Sequence, residues 1–264
     1  VDFVLFWRQN EPDWGGWMFE RLEAKGFQIE FHSHAWAILS VDFPDALLEL
    51  SKALEEITIP IDEIIGSGGG EAKGTQRLRR TLTELGWNKA NFEIRKTING
   101  VERESISHEI DHVRHFANGR TLALEIEWNN KDPFFDRDLE NFKRLHAEGA
   151  ISVGVIVTRG SALQDRMTEF VRRYAEQHQV ASFDDLRKRG LSPTDRQERE
   201  VLRRVTREKN PLAFRDAWAE HFVSDKFGAA TTHWRKLEHR VQRGVGNPCP
   251  LLMIGLPDTI VTFD

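Results

Sequence analysis

Glu125 and Glu127 stand two residues apart in the run Thr121 to Trp128, where Leu122, Leu124 and Ile126 take the alternate positions. Alternation of this kind predicts a β-strand, whose successive side chains point to opposite faces. The two carboxylates then share a face, roughly 6.5–7 Å apart at the Cα level, and the aliphatic residues form the core side. Asn118-Gly119 precedes the run, and Asn-Gly is a strong hairpin signal because both residues tolerate positive φ. That turn folds the strand His108 to Phe116 back, bringing Asp111 beside the strand that carries the acidic pair. Three carboxylates crowded at a sheet edge repel one another unless a cation neutralises them or they lie wide apart in water. The first arrangement suits Mg2+, which binds through one or two carboxylates, several waters and a phosphate oxygen. The second is a solvent-facing acidic strand. Spacing alone does not choose between them.

The surrounding sequence supplies the elements that must hold this group. Gln28 to Phe31 and Trp36 to Val41 are rich in aromatic and branched residues and read as strand. Pro44 and Asp45 open a helix whose apolar rhythm runs Leu47, Leu48, Leu50, Leu54 and Ile57. Gly66-Ser67-Gly68-Gly69-Gly70 is a flexible break, followed by a helix marked by Leu78, Leu82 and Leu85 and ended by Gly86. Its other side carries Lys73, Arg77, Arg79 and Arg80. A first hairpin turns Phe92 to Ile98 at Asn99-Gly100. After the acidic strand come a helix (Asp138 to His146), a strand (Ile151 to Val157) and a helix (Leu163 to Tyr174). The middle of the chain therefore reads β-β-β-β-α-β-α, a mixed sheet with a helix on a face. Charge is dense from Asp184 to Asn210, helical after Ser192-Pro193, and Leu251 to Phe263 returns to strand character. A single domain over 1–264 is expected, with a catalytic core at about 90–180 and a helical elaboration at about 184–245.

Other features point to blander roles. Gly70-Glu71-Ala72-Lys73-Gly74-Thr75 lacks the Gly-Lys-[Ser/Thr] order of a phosphate loop. His32-Ser33-His34 would place two imidazoles on one strand face, but no third ligand accompanies them. The arginines of 187–209 alternate with Asp195, Glu198, Glu200 and Glu208, the pattern of a solvated helix face. Cys249 is the sole cysteine, so an intrachain disulfide and a Cys-rich zinc site are excluded, and a buried thiol in a reduced, cytoplasmic protein is expected. With 37 Lys+Arg against 42 Asp+Glu the formal net charge is −5. Any attraction to nucleic acid must therefore come from local patches. No apolar run approaches the ~18–20 residues of a membrane span, and the start, Val1 to Trp7, has no basic region ahead of an apolar stretch.

Leu124-Glu125-Ile126-Glu127-Trp128-Asn129-Asn130-Lys131-Asp132-Pro133-Phe134-Phe135, then Arg137-Asp138-Leu139, then Ile151-Ser152-Val153-Gly154-Val155-Ile156-Val157-Thr158-Arg159-Gly160, resembles restriction endonucleases of the BglII group, within the wider PD-(D/E)xK nuclease superfamily. The resemblance covers Asp111 to Gly160, with a weaker similarity at Gly228 to His233. It implies an α/β fold with a mixed central β-sheet flanked by helices, a restriction-endonuclease-like core with helical elaboration. It further implies a Mg2+-dependent type II site-specific deoxyribonuclease of the prokaryotic cytoplasm that cuts double-stranded DNA as a homodimer. On that resemblance Asp111 and Glu125 ligate the metal, and Glu127 orients or deprotonates the attacking water with a metal contact of its own. Asn129 and Asn130 match positions from which the group touches bases. Lys131, Lys73 and Arg77 are expected on the DNA, with Thr232, His233 and Arg235 as a second surface. Glu71, Glu104 and Glu109 are candidate auxiliary carboxylates. The sequence departs from the superfamily pattern in having Ile110 where Pro would precede Asp111, and no Lys two residues after Glu125. A lysine-based mechanism is thereby excluded, although activity is not. The alternatives are a DNA-binding protein that keeps the fold without cutting, and a nuclease directed to repair or to modified DNA.

Overall fold

The computed structural model describes residues 16–66 and 72–263. In chain order these form α1 (Gly16–Ala24), β1 (Gln28–His32), α2 (Ala35–Asp42), α3 (Pro44–Glu55), β2 (Ile59–Pro60), α4 (Ile61–Ile65) and α5 (Lys73–Glu84). The acidic region follows as β3 (Asn88–Ile98), β4 (Val101–His115), β5 (Thr121–Glu127), α6 (Phe134–Ala147) and β6 (Val153–Arg159). The remainder is α7 (Ser161–Gln177), α8 (Phe183–Lys188), α9 (Asp195–Val205), α10 (Phe214–Lys226), α11 (Trp234–Gln242), β7 (Leu251–Leu256) and β8 (Val261–Thr262).

Six strands make one sheet in the order β1-β7-β6-β5-β4-β3. The centre, β5-β6-β7, is parallel, and β1, β4 and β3 add antiparallel strands at the two sides. Parallel strands need helices on both faces, so they read as near-continuous apolar runs; Val153 to Val157 and Leu251 to Leu256 do so, and every residue of β6 and β7 is buried. On one face Leu122, Leu124, Val155, Val157 and Ile254 meet α2, α3 and α7. On the other, Ala123, Ile156 and Met253 lie under α6 and α11, through Phe135, Leu139, Phe142, Trp234 and Leu237. Gly154 is required there, because a Cβ would stand 2.3 Å from the Phe142 ring.

Three local expectations are corrected. Trp36 to Val41 is helix, not strand, within α2. The chain turns at Ser33 and His34, with φ of 51° and 65°, and Ala35 and Leu39, one turn apart, become the buried side. That turn also breaks the supposed His32-Ser33-His34 strand face: only His32 belongs to β1, its Nε2 lying 3.1 Å from Glu30 Oε2. Finally, the stretch from Asn88 to Glu127 supplies three strands, not four, because β4 runs for 15 residues without interruption. Only its last part, His112 to His115, pairs with β5; the rest pairs with β3 alone, as a two-stranded arm ending in the exposed Ile98 and Val101. The charge run of 187–209 is distributed over α8 and α9 in local ion pairs, including Arg187–Asp184 and Arg203–Glu200 at 2.8 Å each. Cys249 is buried, and burial pushes its thiol up to about 12. Among the described residues no helix is long and apolar enough to cross a membrane.

Candidate active site

β5 presents Glu125 and Glu127 toward α6, the face opposite Leu122 and Leu124, as alternation requires. Both carboxylates are buried, at 3% and 2% exposure, which overturns the solvent-facing acidic strand. Asp111 arrives from β4. Asn88 faces Val113 and Ala90 faces Ile110, so two residues of β4, Asp111 and His112, stand opposite Lys89 alone. This is a β-bulge, a device that re-aims side chains. The Asp111 amide donates to Glu125 Oε1 at 3.4 Å, while the Asp111 carboxylate stays exposed, 3.8 Å from Lys89 Nζ. It opens onto a polar groove of about 710 Å³ between α5 and the sheet edge, lined also by Thr75, Arg79, His112 and Asn129.

A fourth carboxylate completes the group. Asp138 sits on the buried stripe of α6 with Phe135, Leu139 and Phe142 and is wholly inaccessible. Its Oδ1 accepts from Arg137 Nε at 2.8 Å, and Arg137 Nη2 lies 3.6 Å from Glu127 Oε1. Asn130 Nδ2 donates to Glu127 Oε2 at 2.8 Å. Asp138 Oδ2 has no donor among the described residues; Glu127 can supply one only when protonated. Burial, then the charges of Asp138, Asp111 and Glu127, hold the Glu125 carboxyl well above the usual range. Burial and the Asp138 charge raise Glu127 to about 8. Burial also raises Asp138, against the pull of Arg137. One guanidinium does not neutralise three buried acids, so all three are held above their ordinary range.

Among the described residues no group of three or more His, Cys, Asp or Glu is arranged as a ready-made metal cage. The chemistry of the donors nevertheless fits a hard divalent cation. They are carboxylate oxygens, one of them without a donor, in acids whose ionisation burial and mutual repulsion make harder.

The other expected residues are dispersed. Asn129 and Asn130 both line the groove, and Asn130 is also engaged with Glu127. Lys131 is exposed and bridges to Thr231. Lys73 is exposed at the start of α5, and Arg77 is held by both Glu63 oxygens at 2.7 and 2.8 Å. Thr232 and His233 are buried, and Arg235 is paired with Asp165. Glu109 is bound to Lys89 at 2.6 Å, and Glu104 lies out on the arm opposite Lys96. Glu71 lies outside the described residues. The sequence does not single out Asp138, which opens the expected helix Asp138 to His146; its position on the Phe135-Leu139-Phe142 stripe is the signal that marks it as buried.

A mixed sheet flanked by helices, with buried acids at the end of a central strand beside a polar groove, defines a restriction-endonuclease-like nuclease fold. The family model described as restriction endonuclease BglII/BglIII matches residues 27–256, and the chain belongs to that family. No curated protein matches the chain.

Proposed function

We propose that this protein is a Mg2+-dependent type II endonuclease that hydrolyses phosphodiester bonds of double-stranded DNA at a specific, palindromic site, acting as a homodimer. The observation that carries the reading is the set of buried, mutually repelling acids Glu125, Glu127 and Asp138, with Asp111 at the lip of a polar groove. Asp111 and Glu125 would hold the metal, with Glu127 and Asp138 beside them. Bound Mg2+ supplies positive charge for the phosphoryl oxygens and lowers the pKa of a water. Glu127, once ionised, holds the attacking water and takes up its proton, and Asn130 fixes which oxygen of Glu127 faces it. Arg137 limits the repulsion when these acids lose their protons. Lys89 stands where it can accompany Asp111 to a phosphate. Two-fold symmetry follows from matching a dimer to a palindromic duplex.

The test is digestion of unmethylated DNA in Mg2+ or EDTA, with the ends sequenced. Discrete fragments formed only in Mg2+ are expected. Glu125→Ala should abolish cutting and leave DNA binding largely intact; cutting at the normal rate would remove Glu125 from the site. Binding without cutting, on methylated and unmethylated DNA alike, would replace the enzyme with a silent DNA-binding relative.

A further inference from the structure

Arg159 closes β6 and is wholly buried. Its Nη2 donates to Thr231 Oγ1 and to the Thr232 carbonyl, each at 2.7 Å. Nε and Nη1 are buried and make no hydrogen bond with any described residue. Among the described residues no carboxylate offsets the charge, and burial drives the guanidinium down to about 9. What lies against it is aromatic: Phe227 at 4.9 Å and Trp128 at 5.9 Å.

The next groups along are also unsatisfied. Thr232 Oγ1 and His233 Nδ1 are buried without partners. His233 is the N-cap of α11, a nine-residue helix, and its side chain makes no capping bond. A helix N-terminus carries unsatisfied N–H groups and partial positive charge. The fold thus sets a buried guanidinium against the like-signed end of a helix, an unfavourable pairing unless an anion joins them. The other cations of this corner are already matched, Arg235 to Asp165 at 2.8 and 2.5 Å and Lys236 to Asp132 at 3.2 Å.

Two loops meet through the Lys131–Thr231 bridge and two backbone bonds, Thr232 N to Asn130 O at 2.8 Å and Asp132 N to Ala230 O at 3.0 Å. The corner also adjoins the acids, since Thr158, one residue before Arg159, is the register partner of Glu127.

We propose that Arg159, Thr232 and the first turn of α11 form a phosphate-binding site that opens when the 129–132 and 228–233 loops part. The donors on offer suit the several oxygens of one phosphate group, which helix N-termini and guanidinium groups both bind. The phosphate comes from a DNA backbone or from the free ion; the DNA source rests on the nuclease reading above, and the free-ion source does not.

The experiment has two arms, both in EDTA so that no cutting intrudes. DNA affinity is measured against salt concentration by fluorescence anisotropy, and thermal unfolding is followed with inorganic phosphate against chloride at matched ionic strength. Arg159→Met should reduce the log–log salt slope by about 0.9, the value of one lost phosphate contact, and abolish the rise in Tm given by phosphate. Arg159→Lys should recover part of both, and Thr232→Val should weaken the phosphate response several-fold. If Arg159→Met fails to fold, these two variants carry the comparison. A phosphate response lost in Arg159→Met while the wild type binds no DNA supports the site with free phosphate as its ligand, and sinks only the nuclease reading. Wild-type salt slope and phosphate response in every folded variant overturn the proposal.

Discussion

Glu127→Gln probes the charge frustration of the site directly. The Glu127 carboxyl ionises at about 8 in the fold, against an ordinary 4.5, because it is buried beside Asp138. Between those two values the folded chain holds a proton that the unfolded chain has lost, so stability falls as pH rises. The contribution is fully present below pH 4.5 and gone once pH has passed about 8. The separation of about 3.5 pH units corresponds to about 5 kcal/mol at 1.36 kcal/mol per unit. Water entering on ionisation reduces this, and a loss of at least about 2 kcal/mol between pH 5.5 and 8.5 is expected. Glu127→Gln keeps the Asn130 contact partner in shape and cannot ionise, so its stability should be flatter across that window by a similar amount. The assay is guanidinium unfolding of wild type and variant in EDTA at several pH values. Under the metal-binding reading, Mg2+ at pH 8.5 should raise the wild-type midpoint and leave the variant less affected. Parallel pH profiles for the two proteins would refute the reasoning, since Glu127 would then ionise alike folded and unfolded.

Asp138→Asn removes one of the buried charges without changing shape, and should reduce cleavage at least ~100-fold, the usual scale for a positioned acid or base, with DNA binding measured in EDTA unchanged. His233 is held neutral in the fold, down to about 4, by burial and by Arg159, Lys236 and Arg235. Below the ordinary value of 6.5 the unfolded chain gains a proton that the native chain refuses, so acid should cost stability, up to ~3 kcal/mol by pH 4. Comparing unfolding midpoints of wild type and His233→Gln between pH 7 and pH 4 measures this, and equal acid sensitivity would contradict it. Gly154→Ala drives a methyl into the Phe142 ring and should destabilise by ~1–3 kcal/mol or more, read as a lower unfolding midpoint.

Local pattern carried much of this structure. Alternation located β5 and the pairing of Glu125 with Glu127, and Asn118-Gly119 located the turn that returns Asp111 to them. Failures arose where tertiary context decided. Trp36 to Val41 has strand-like composition, yet the left-handed turn at Ser33 and His34 starts a helix there. Asp138 reads as a helix opener because the expected helix starts four residues after α6 does, and an acid on a buried stripe is recognisable only once the stripe is drawn from Phe135. The bulge opposite Lys89 has no turn residue to announce it. Nor does any periodicity show that β1 and β7, from opposite ends of the chain, pair with one another.

That last pairing bears on how the protein comes into being. β7 lies between β1 and β6, so a nascent chain ending before Leu251 leaves both neighbours with bare edges and Ile156 without its Met253 neighbour. Contacts of such sequence separation form late and slowly. β7 aligns β6 and, through it, the acids of β5. The acids of β5 would therefore come into register only once Leu251–Leu256 has joined the sheet, and any stretch of chain that stops short of that strand should lack the assembled site.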